Sequence, residues 1–357
     1  MQLTDIHTHS AFSADGESPL SQMLDRAAGL GTAFYGVSDH FDYDYLADGV
    51  LVHGKPVPMI DAEAYFSEAR RLQKAYAGRM RVLVGGEFGF SKNPAAQAMY
   101  RETVGRFSPD FVVNSVHTVD GADVWFPESF VGKTRDTAYR GYLEAVLESL
   151  SAPYPYAIVA HLGYVSRNAP YPDKILHASD YPDLLDEILS GIVAHGKILE
   201  VNSSARGAGH FLPGRDILER YFLLGGRKVS FASDAHRADA VGRGRETVVR
   251  TLNEIGFPGN TVPARANHIL VPCDAPISGK KHSRGPVFPA RALRFPAFYV
   301  RPSPQGRVRR AARTVWRSRT PIARRRSFWR PQASDGGKRR TSFQNPRAWR
   351  RATLSCT

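Results

Sequence analysis

The chain has 357 residues, of which 42% are hydrophobic and 23% are charged. This is enough apolar material for a buried core, which excludes a chain that is disordered throughout. Its two cysteines, Cys273 and Cys356, exclude a disulfide framework and a cysteine-based zinc module. No apolar run approaches the roughly 20 residues that span a bilayer and the start has no leader pattern, so we expect a soluble, unprocessed, cytoplasmic protein.

The net charge of +14 is unevenly distributed along the chain. Residues 275–357 contain 22 lysines and arginines and one acidic residue, which gives +21, whereas residues 1–274 carry −7. The basic segment is rich in arginine and proline and has no apolar periodicity, so we expect it to be disordered. It is an arm that binds nucleic acid or lipid, a solvated appendage, or the product of an out-of-frame read of GC-rich DNA. Its composition favours the last of these hypotheses.

Residues 1–274 alternate short β-branched runs with longer amphipathic stretches. Seven runs predict strands, at Leu3 to His7, Phe34 to Asp39, Arg81 to Glu87, Phe111 to His117, Ala157 to His161, Lys197 to Asn202 and Lys228 to Asp234. The stretches between and after them predict helices, at Pro19 to Leu30, Asp61 to Ala77, Pro94 to Phe107, Tyr139 to Leu150, Pro182 to His195, Gly214 to Leu224 and Gly242 to Ile255. We expect Ser18 to be the N-cap of the first helix.

Strands that alternate with helices predict a parallel sheet with right-handed crossovers. The number of units allows closure into a barrel, and an open doubly wound sheet is the alternative. No G-x-G-x-x-G motif and no P-loop follows a predicted strand, so neither common type of nucleotide site is indicated.

Six of the twelve histidines lie at or just beyond the C-terminal ends of predicted strands: His7, His9, His40, His117, His161 and His236. Acidic residues share these positions: Asp5, Asp15, Asp39, Glu87 and Asp234. Loops from separate parallel strands converge at this edge. One such histidine alone is more often structural, but a crowd of imidazoles and carboxylates is unsatisfied unless cations bind it. The pattern therefore predicts a metal centre.

Nitrogen and oxygen ligands without thiolate select zinc, iron or manganese over copper(I). More than about eight ligands exceed the capacity of one ion, so two or three divalent metal ions are expected. Such clusters produce hydroxide near neutral pH and bind phosphoryl oxygens, which indicates phosphoester hydrolysis. No Ser-His-Asp or Cys-His arrangement competes with this interpretation.

Seven short motifs follow one another along residues 1–270: Asp5-Ile-His7-Thr-His9-Ser10, Phe12-Ser13-Ala-Asp15-Gly16, Ser38-Asp39-His40-Phe-Asp42, Gly86-Glu87-Phe, Ser115-Val-His117, Ala160-His161-Leu and Ser233-Asp234-Ala-His236. Their order and composition resemble the PHP (polymerase and histidinol phosphatase) family. The stretches at 39–43, 87–90 and 199–204 are most similar to its monofunctional histidinol-phosphatase branch.

The resemblance implies a distorted (β/α)7 TIM-like barrel with a trinuclear metal centre at the C-terminal ends of the strands. The implied ligands are His7, His9, Glu87 and Asp234 for the first metal, Glu87, His117 and His161 for the second, and Asp15, His40 and His236 for the third. Asp5 and Asp39 are expected to orient neighbouring histidines. The expected catalytic residues are Glu87, His40, Asp234 and His236.

The implied reaction is hydrolysis of L-histidinol phosphate, a small phosphorylated substrate, by a metal-activated hydroxide. Arg167 and Arg206 are the expected ligands of the substrate phosphate. Two alternatives remain open: a phosphoesterase of the same family that acts on nucleotides or single-stranded nucleic acid, and a nucleic-acid-binding protein that works through the basic tail. The charge of −7 on residues 1–274 argues against a nucleic-acid groove there.

Overall fold

The computed structural model describes residues 3–204, 210–264 and 268–272. Arg206, both cysteines and the basic segment 275–357 lie outside the described residues. Among the helices of the described ranges, none has the length and apolar character that crossing a bilayer requires.

The described part of the chain contains eight α-helices: α1 (Leu20–Gly29), α2 (Tyr43–Asp48), α3 (Ala62–Ala75), α4 (Pro94–Phe107), α5 (Arg135–Ser149), α6 (Pro182–Ala194), α7 (Arg215–Leu223) and α8 (Arg245–Ile255). All the predicted helices are present, and they differ from the prediction mainly at their ends. The short α2 was not predicted, because six residues are too few for a helical period to show.

Two helix starts differ from the prediction for identifiable reasons. Helix α5 begins four residues before Tyr139, because the Oγ1 of Thr134 accepts a hydrogen bond from the Thr137 N–H (3.2 Å) and caps the helix there. The prediction that Ser18 caps α1 is wrong. Pro19 occupies the N-cap position, and the Oγ of Ser18 instead accepts the N–H of Ala238 (3.0 Å).

The described ranges hold fifteen strands: β1 (Leu3–Asp5), β2 (Thr32–Val37), β3 (His40–Phe41), β4 (Leu51–Val52), β5 (Lys55–Pro56), β6 (Arg81–Val84), β7 (Glu87–Gly89), β8 (Val113–Ser115), β9 (Thr118–Val119), β10 (Ala122–Asp123), β11 (Ile158–Val159), β12 (Ile198–Asn202), β13 (Val229–Ala232), β14 (Gly259–Val262) and β15 (Ile269–Pro272). Parallel pairing gives two strand orders, β1-β2-β6 and β13-β12-β11-β8-β7-β3. The remaining six strands form three antiparallel hairpins. The α/β class and the largely parallel sheet are therefore confirmed.

The predicted strand from Arg81 to Glu87 is interrupted by two glycines, Gly85 and Gly86. An added Cβ would lie 2.6 Å from the ring of Phe111 at Gly85 and 2.9 Å from that of Phe41 at Gly86. Glycine is therefore needed for these rings to pack against the backbone. The chain divides here into β6 and β7, and Glu87 becomes the first residue of a new strand that pairs with His40 and Val113.

Both faces of the parallel strands are buried. One face packs against the helices through a large core that includes Met23, Leu24 and Tyr65. The other face forms a second apolar cluster around Ile6, Leu83, Phe111, Val113, Ile158 and Ile198, and the β14–β15 hairpin adds Val262 and Val271 to it. Burial on two faces explains why the strands read as continuous apolar runs rather than as alternating patterns.

Candidate metal centre

The C-terminal ends of the parallel strands bring the predicted ligands together around Glu87. Its Oε2 lies 3.2 Å from Nε2 of His7 and 3.5 Å from Nε2 of His9. Its Oε1 lies 3.2 Å from Nε2 of His117 and 3.0 Å from Nε2 of His161. One buried carboxylate therefore faces two separate pairs of histidines, and its Oε2 also lies 3.0 Å from Nδ1 of His40.

Two further carboxylates extend this cluster. Oδ1 of Asp234 lies 3.1 Å from Nε2 of His9. The backbone of Asp234 has a positive φ of 52°. Oδ2 of Asp15 lies 3.1 Å from Nε2 of His236 and 3.8 Å from Nε2 of His40. The Asp15 side chain is 60% exposed, so this end of the cluster faces solvent. All nine predicted ligands thus lie in one connected group.

The donor set fits divalent cations. Several buried atoms of the group have no hydrogen-bond partner: Nε2 of His7, His9 and His236, Nδ1 of His40 and His161, and Oε2 of Glu87. Four sets of three ligand atoms lie within 4.8 Å of one another, among them His7, His9 and Glu87, and Glu87, His117 and His161. Lone pairs that converge without protons between them are satisfied by a cation, and nitrogen and oxygen donors suit zinc, iron or manganese.

The protonation states of two central ligands favour metal binding. Burial lowers the pKa of His9 to about 3, and the nearby His40 and His236 contribute to the same effect. Burial alone would raise the pKa of Glu87, but the surrounding imidazoles, His7 first, hold it well below its ordinary value. At neutral pH a neutral imidazole and a carboxylate therefore face each other, and these are the forms that bind metal ions.

Asp5 and Asp39 make no direct hydrogen bond to a histidine ring, contrary to the expectation from sequence. The Asp5 carboxylate accepts the backbone N–H groups of Ser233 and Gly242, each at 2.9 Å. The Asp39 carboxylate accepts hydrogen bonds from the backbone and hydroxyl groups of Ser10 and Ser13. Neither carboxylate bonds to an imidazole. Both carboxylates instead stabilise loops at the strand ends through these hydrogen bonds.

Two acidic residues beside the cluster were missed by the sequence reasoning. Oε2 of Glu200 lies 2.7 Å from Nδ1 of His7. Oδ1 of Asp42 lies 3.6 Å from Nδ1 of His40 and 4.0 Å from Nδ1 of His117. A charged residue inside the otherwise apolar run of β12 was the available signal for Glu200, and the position two residues after His40 was the signal for Asp42.

Arg167 lies at the edge of the same cluster. Its Nη2 donates hydrogen bonds to Oδ1 of Asn202 (2.9 Å) and to Oδ2 of Asp234 (3.0 Å). Its guanidinium carbon lies 4.9 Å from the centre of the Tyr164 ring, and the side chain is buried. The chain thus places a fixed positive charge beside a predicted ligand.

Comparison with known proteins agrees with this geometry. The family model for the PHP domain matches residues 5–204, which is more than half of the chain. The chain belongs to the PHP domain family. The resemblance that its motifs indicated is therefore confirmed.

Several PHP relatives share most of their length with this chain. A probable histidinol-phosphatase of Clostridium acetobutylicum is 26% identical over 242 residues, which cover 67% of this chain and 88% of the relative. A probable histidinol-phosphatase of Thermotoga maritima is 28% identical over 257 residues, 71% of this chain and 93% of the relative.

One solved structure is similar to this chain across nearly its whole length. It is histidinol phosphate phosphatase from Lactococcus lactis, complexed with zinc, L-histidinol and phosphate. The match has a TM-score of 0.65 and 25% identity, and it covers 74% of this chain and 97% of that one. The predicted resemblance to the histidinol-phosphatase branch is thereby confirmed.

Proposed function

We propose that this chain is a metal-dependent phosphoric monoester hydrolase that converts L-histidinol phosphate to L-histidinol and phosphate. The observation that carries the proposal is the carboxylate of Glu87, whose two oxygens face different histidines inside one buried cluster. The relatives named histidinol-phosphatase and the similarity to a structure with zinc, L-histidinol and phosphate favour this substrate over the alternatives.

Three groups of side chains would hold the divalent ions. They are His7, His9, Glu87 and Asp234; Glu87, His117 and His161; and Asp15, His40 and His236. The first two groups are supported by buried distances of 3.0 to 3.9 Å between their ligand atoms, and they share Glu87. The third group lies at the exposed side. Ions bound there supply Lewis-acid charge for phosphoryl oxygens and lower the pKa of a water molecule.

The protein's own residues bind the phosphate and hold the ligand geometry. Arg167 is fixed by its bonds to Asn202 and Asp234, so its charge is already in place to neutralise a phosphate oxygen. The expected catalytic set of Glu87, His40, Asp234 and His236 lies within this cluster, and Arg206 remains a predicted second phosphate ligand outside the described residues. The leaving alkoxide needs a proton or a neutralising charge, which a bound metal ion, a water molecule beside it, or a nearby histidine or aspartate would supply.

The parallel strands would close into the distorted (β/α)7 barrel that the resemblance implies. Backbone bonds between the first and last strand segments support closure: Ile6 N–H to the Phe231 carbonyl (3.2 Å), and Asp234 N–H to the His7 carbonyl (2.9 Å). The apolar cluster enclosed by the strands, with the β14–β15 hairpin packed into it, is what a barrel interior requires.

A substrate panel tests the function. The purified full-length chain, loaded in turn with zinc, manganese or iron(II), is assayed for phosphate release from L-histidinol phosphate, a nucleoside bisphosphate and an oligonucleotide. The proposal expects the highest kcat/KM with L-histidinol phosphate. A preference for either nucleotide substrate would favour the alternative phosphoesterase.

A truncation separates the enzyme from the tail. A chain that ends at residue 274, our proposed domain boundary, should retain phosphatase activity. If the full chain hydrolyses nothing but binds DNA in a salt-dependent manner that truncation abolishes, the protein is instead a nucleic-acid-binding protein.

A further inference from the structure

Glu200 is a fully buried carboxylate on strand β12, close to the metal centre but outside every ligand group named above. Its Oε2 lies 2.7 Å from Nδ1 of His7. Its Oε1 accepts the side-chain N–H of Asn202 (2.8 Å) and the backbone N–H of His161 (3.2 Å). All the hydrogen bonds of this carboxylate therefore go to residues that belong to the cluster or adjoin it.

The contact with His7 determines which ring nitrogen is free to bind a cation. A carboxylate at 2.7 Å from Nδ1 holds a proton on that nitrogen. In the form of the ring that binds a cation, the lone pair is then on Nε2, which lies 3.2 Å from Oε2 of Glu87 and 3.9 Å from Oδ1 of Asp234. Glu200 thus turns the lone pair of His7 toward two carboxylate oxygens.

The other oxygen of Glu200 connects this histidine to two more ligands. Asn202 donates from Nδ2 to Glu200 and also to Oδ2 of Asp234 (3.1 Å), so Glu200 and Asp234 share one amide. The backbone of His161 has a positive φ of 21°, which is unfavourable for a residue with a side chain, and its N–H is held by Glu200. The buried Glu200 side chain therefore bonds directly to His7 and to the backbone of His161, and it is linked to Asp234 through Asn202.

We propose that Glu200 is a positioning residue of the metal centre. It fixes the tautomer of His7 and holds the first and second ligand groups at a fixed distance from each other. Its negative charge also makes the His7 ring a stronger donor to a cation. The inference rests on the metal centre of the proposed function but not on its substrate. Failure to hydrolyse L-histidinol phosphate would therefore leave it standing, since its tests measure metal binding and tautomer.

The first test compares zinc affinity in two matched variants. Glu200→Gln keeps the side-chain shape but removes the charge and replaces one acceptor by a donor. Asp5→Asn makes the same chemical change at another buried carboxylate, which accepts the backbone N–H groups of Ser233 and Gly242 and has no hydrogen bond to an imidazole. Each metal-free variant is titrated with zinc against a competing chelator, and its thermal midpoint is recorded.

We expect Glu200→Gln to weaken zinc binding by about 10- to 100-fold, the range typical of carboxylates behind a metal-binding histidine. Asp5→Asn should change the affinity by less than about threefold, even if it lowers the thermal midpoint. Equal affinities in the two variants would overturn the proposal, because a merely structural role would destabilise the fold without a selective loss of zinc.

The second test uses the wild-type protein and remains informative if Glu200→Gln fails to fold. In the zinc-loaded chain labelled with ¹⁵N-histidine, His7 should carry its proton on Nδ1, with a signal that is absent from the His7→Asn variant. A His7 ring that is protonated on Nε2 in the loaded protein would refute the proposed role of Glu200.

Discussion

Arg167 and Asp234 form a buried ion pair at the edge of the metal-ligand cluster, with Nη2 of the guanidinium 3.0 Å from Oδ2 of the carboxylate. The other oxygen, Oδ1, lies 3.1 Å from Nε2 of His9. The Asp234 carboxylate therefore contacts the arginine with one oxygen and the proposed metal ligand His9 with the other. A phosphate bound at the centre would meet this charge without any rearrangement of the side chain.

Replacement of Arg167 by glutamine should lower kcat/KM for L-histidinol phosphate by about 100-fold or more, because a preorganised charge for the phosphoryl oxygens is lost. The bound metal content should stay close to that of the wild type. Steady-state kinetics and metal analysis of the same preparation measure both. Arg220→Gln is the control, since Arg220 pairs with Asp186 between helices α7 and α6. Equal kinetics for the two variants would contradict this role of Arg167.

Glu87→Ala and His117→Ala should each lose bound metal and activity together. The loss of metal should be larger for Glu87→Ala, because this carboxylate faces His40 and two pairs of histidines, whereas His117 faces only one of its oxygens. Turnover should fall at least about 100-fold in both variants. His177→Ala is the matched control, because His177 is 46% exposed and pairs with Asp216. A Glu87→Ala variant with full turnover would refute the assignment.

Removal of the metal ions should lower thermal stability as well as abolish activity. A ligand present at about 100 times its dissociation constant stabilises the folded state by about 2.7 kcal/mol. For a domain of this size that corresponds to a thermal midpoint about 5 to 11 °C lower after chelation. Calorimetry before chelation, after it and after zinc is restored measures the shift. An unchanged midpoint would argue against a buried metal centre.

Asp39→Ala should destabilise the fold by about 2–4 kcal/mol, because it leaves buried donors of Ser10 and Ser13 without an acceptor. Urea unfolding in the presence of a chelator measures this cost without a contribution from metal binding. The control is Asp25→Ala, since the Asp25 side chain is 63% exposed in its pair with Arg79 and its removal should cost much less stability. Similar free energies of unfolding for both variants would contradict the proposed role of Asp39 in stabilising the loop that contains Ser10 and Ser13.

The clustering of the proposed metal ligands could be predicted because strand ends are visible in sequence. An apolar run that stops at a histidine or an acid, as before His117 and His161, places that residue at the carboxyl edge of a parallel sheet. The sequence did not show in the same way which residues each carboxylate bonds to. Asp5 and Asp39 precede histidines by one or two residues, yet their carboxylates bond to backbone groups and serines.

Packing between distant segments explains the other differences. The division of the predicted strand at Gly85 depends on the ring of Phe111, which arrives from the following strand segment. The β14–β15 hairpin carries no strong strand pattern, and it forms because Val262 and Val271 are buried by residues from several earlier strands.

The sequence by itself determined the α/β class, the kind of atoms in the centre and the edge at which they meet, since these follow from periodicity and from the chemistry of imidazole and carboxylate. Only the tertiary structure decided which carboxylate serves which histidine. Glu200 reaches His7 across 193 positions of the chain. Hydrogen bonds form only when two groups lie within a few ångströms, which depends on which strands are neighbours and in what register. The spacing of residues along one strand does not show this.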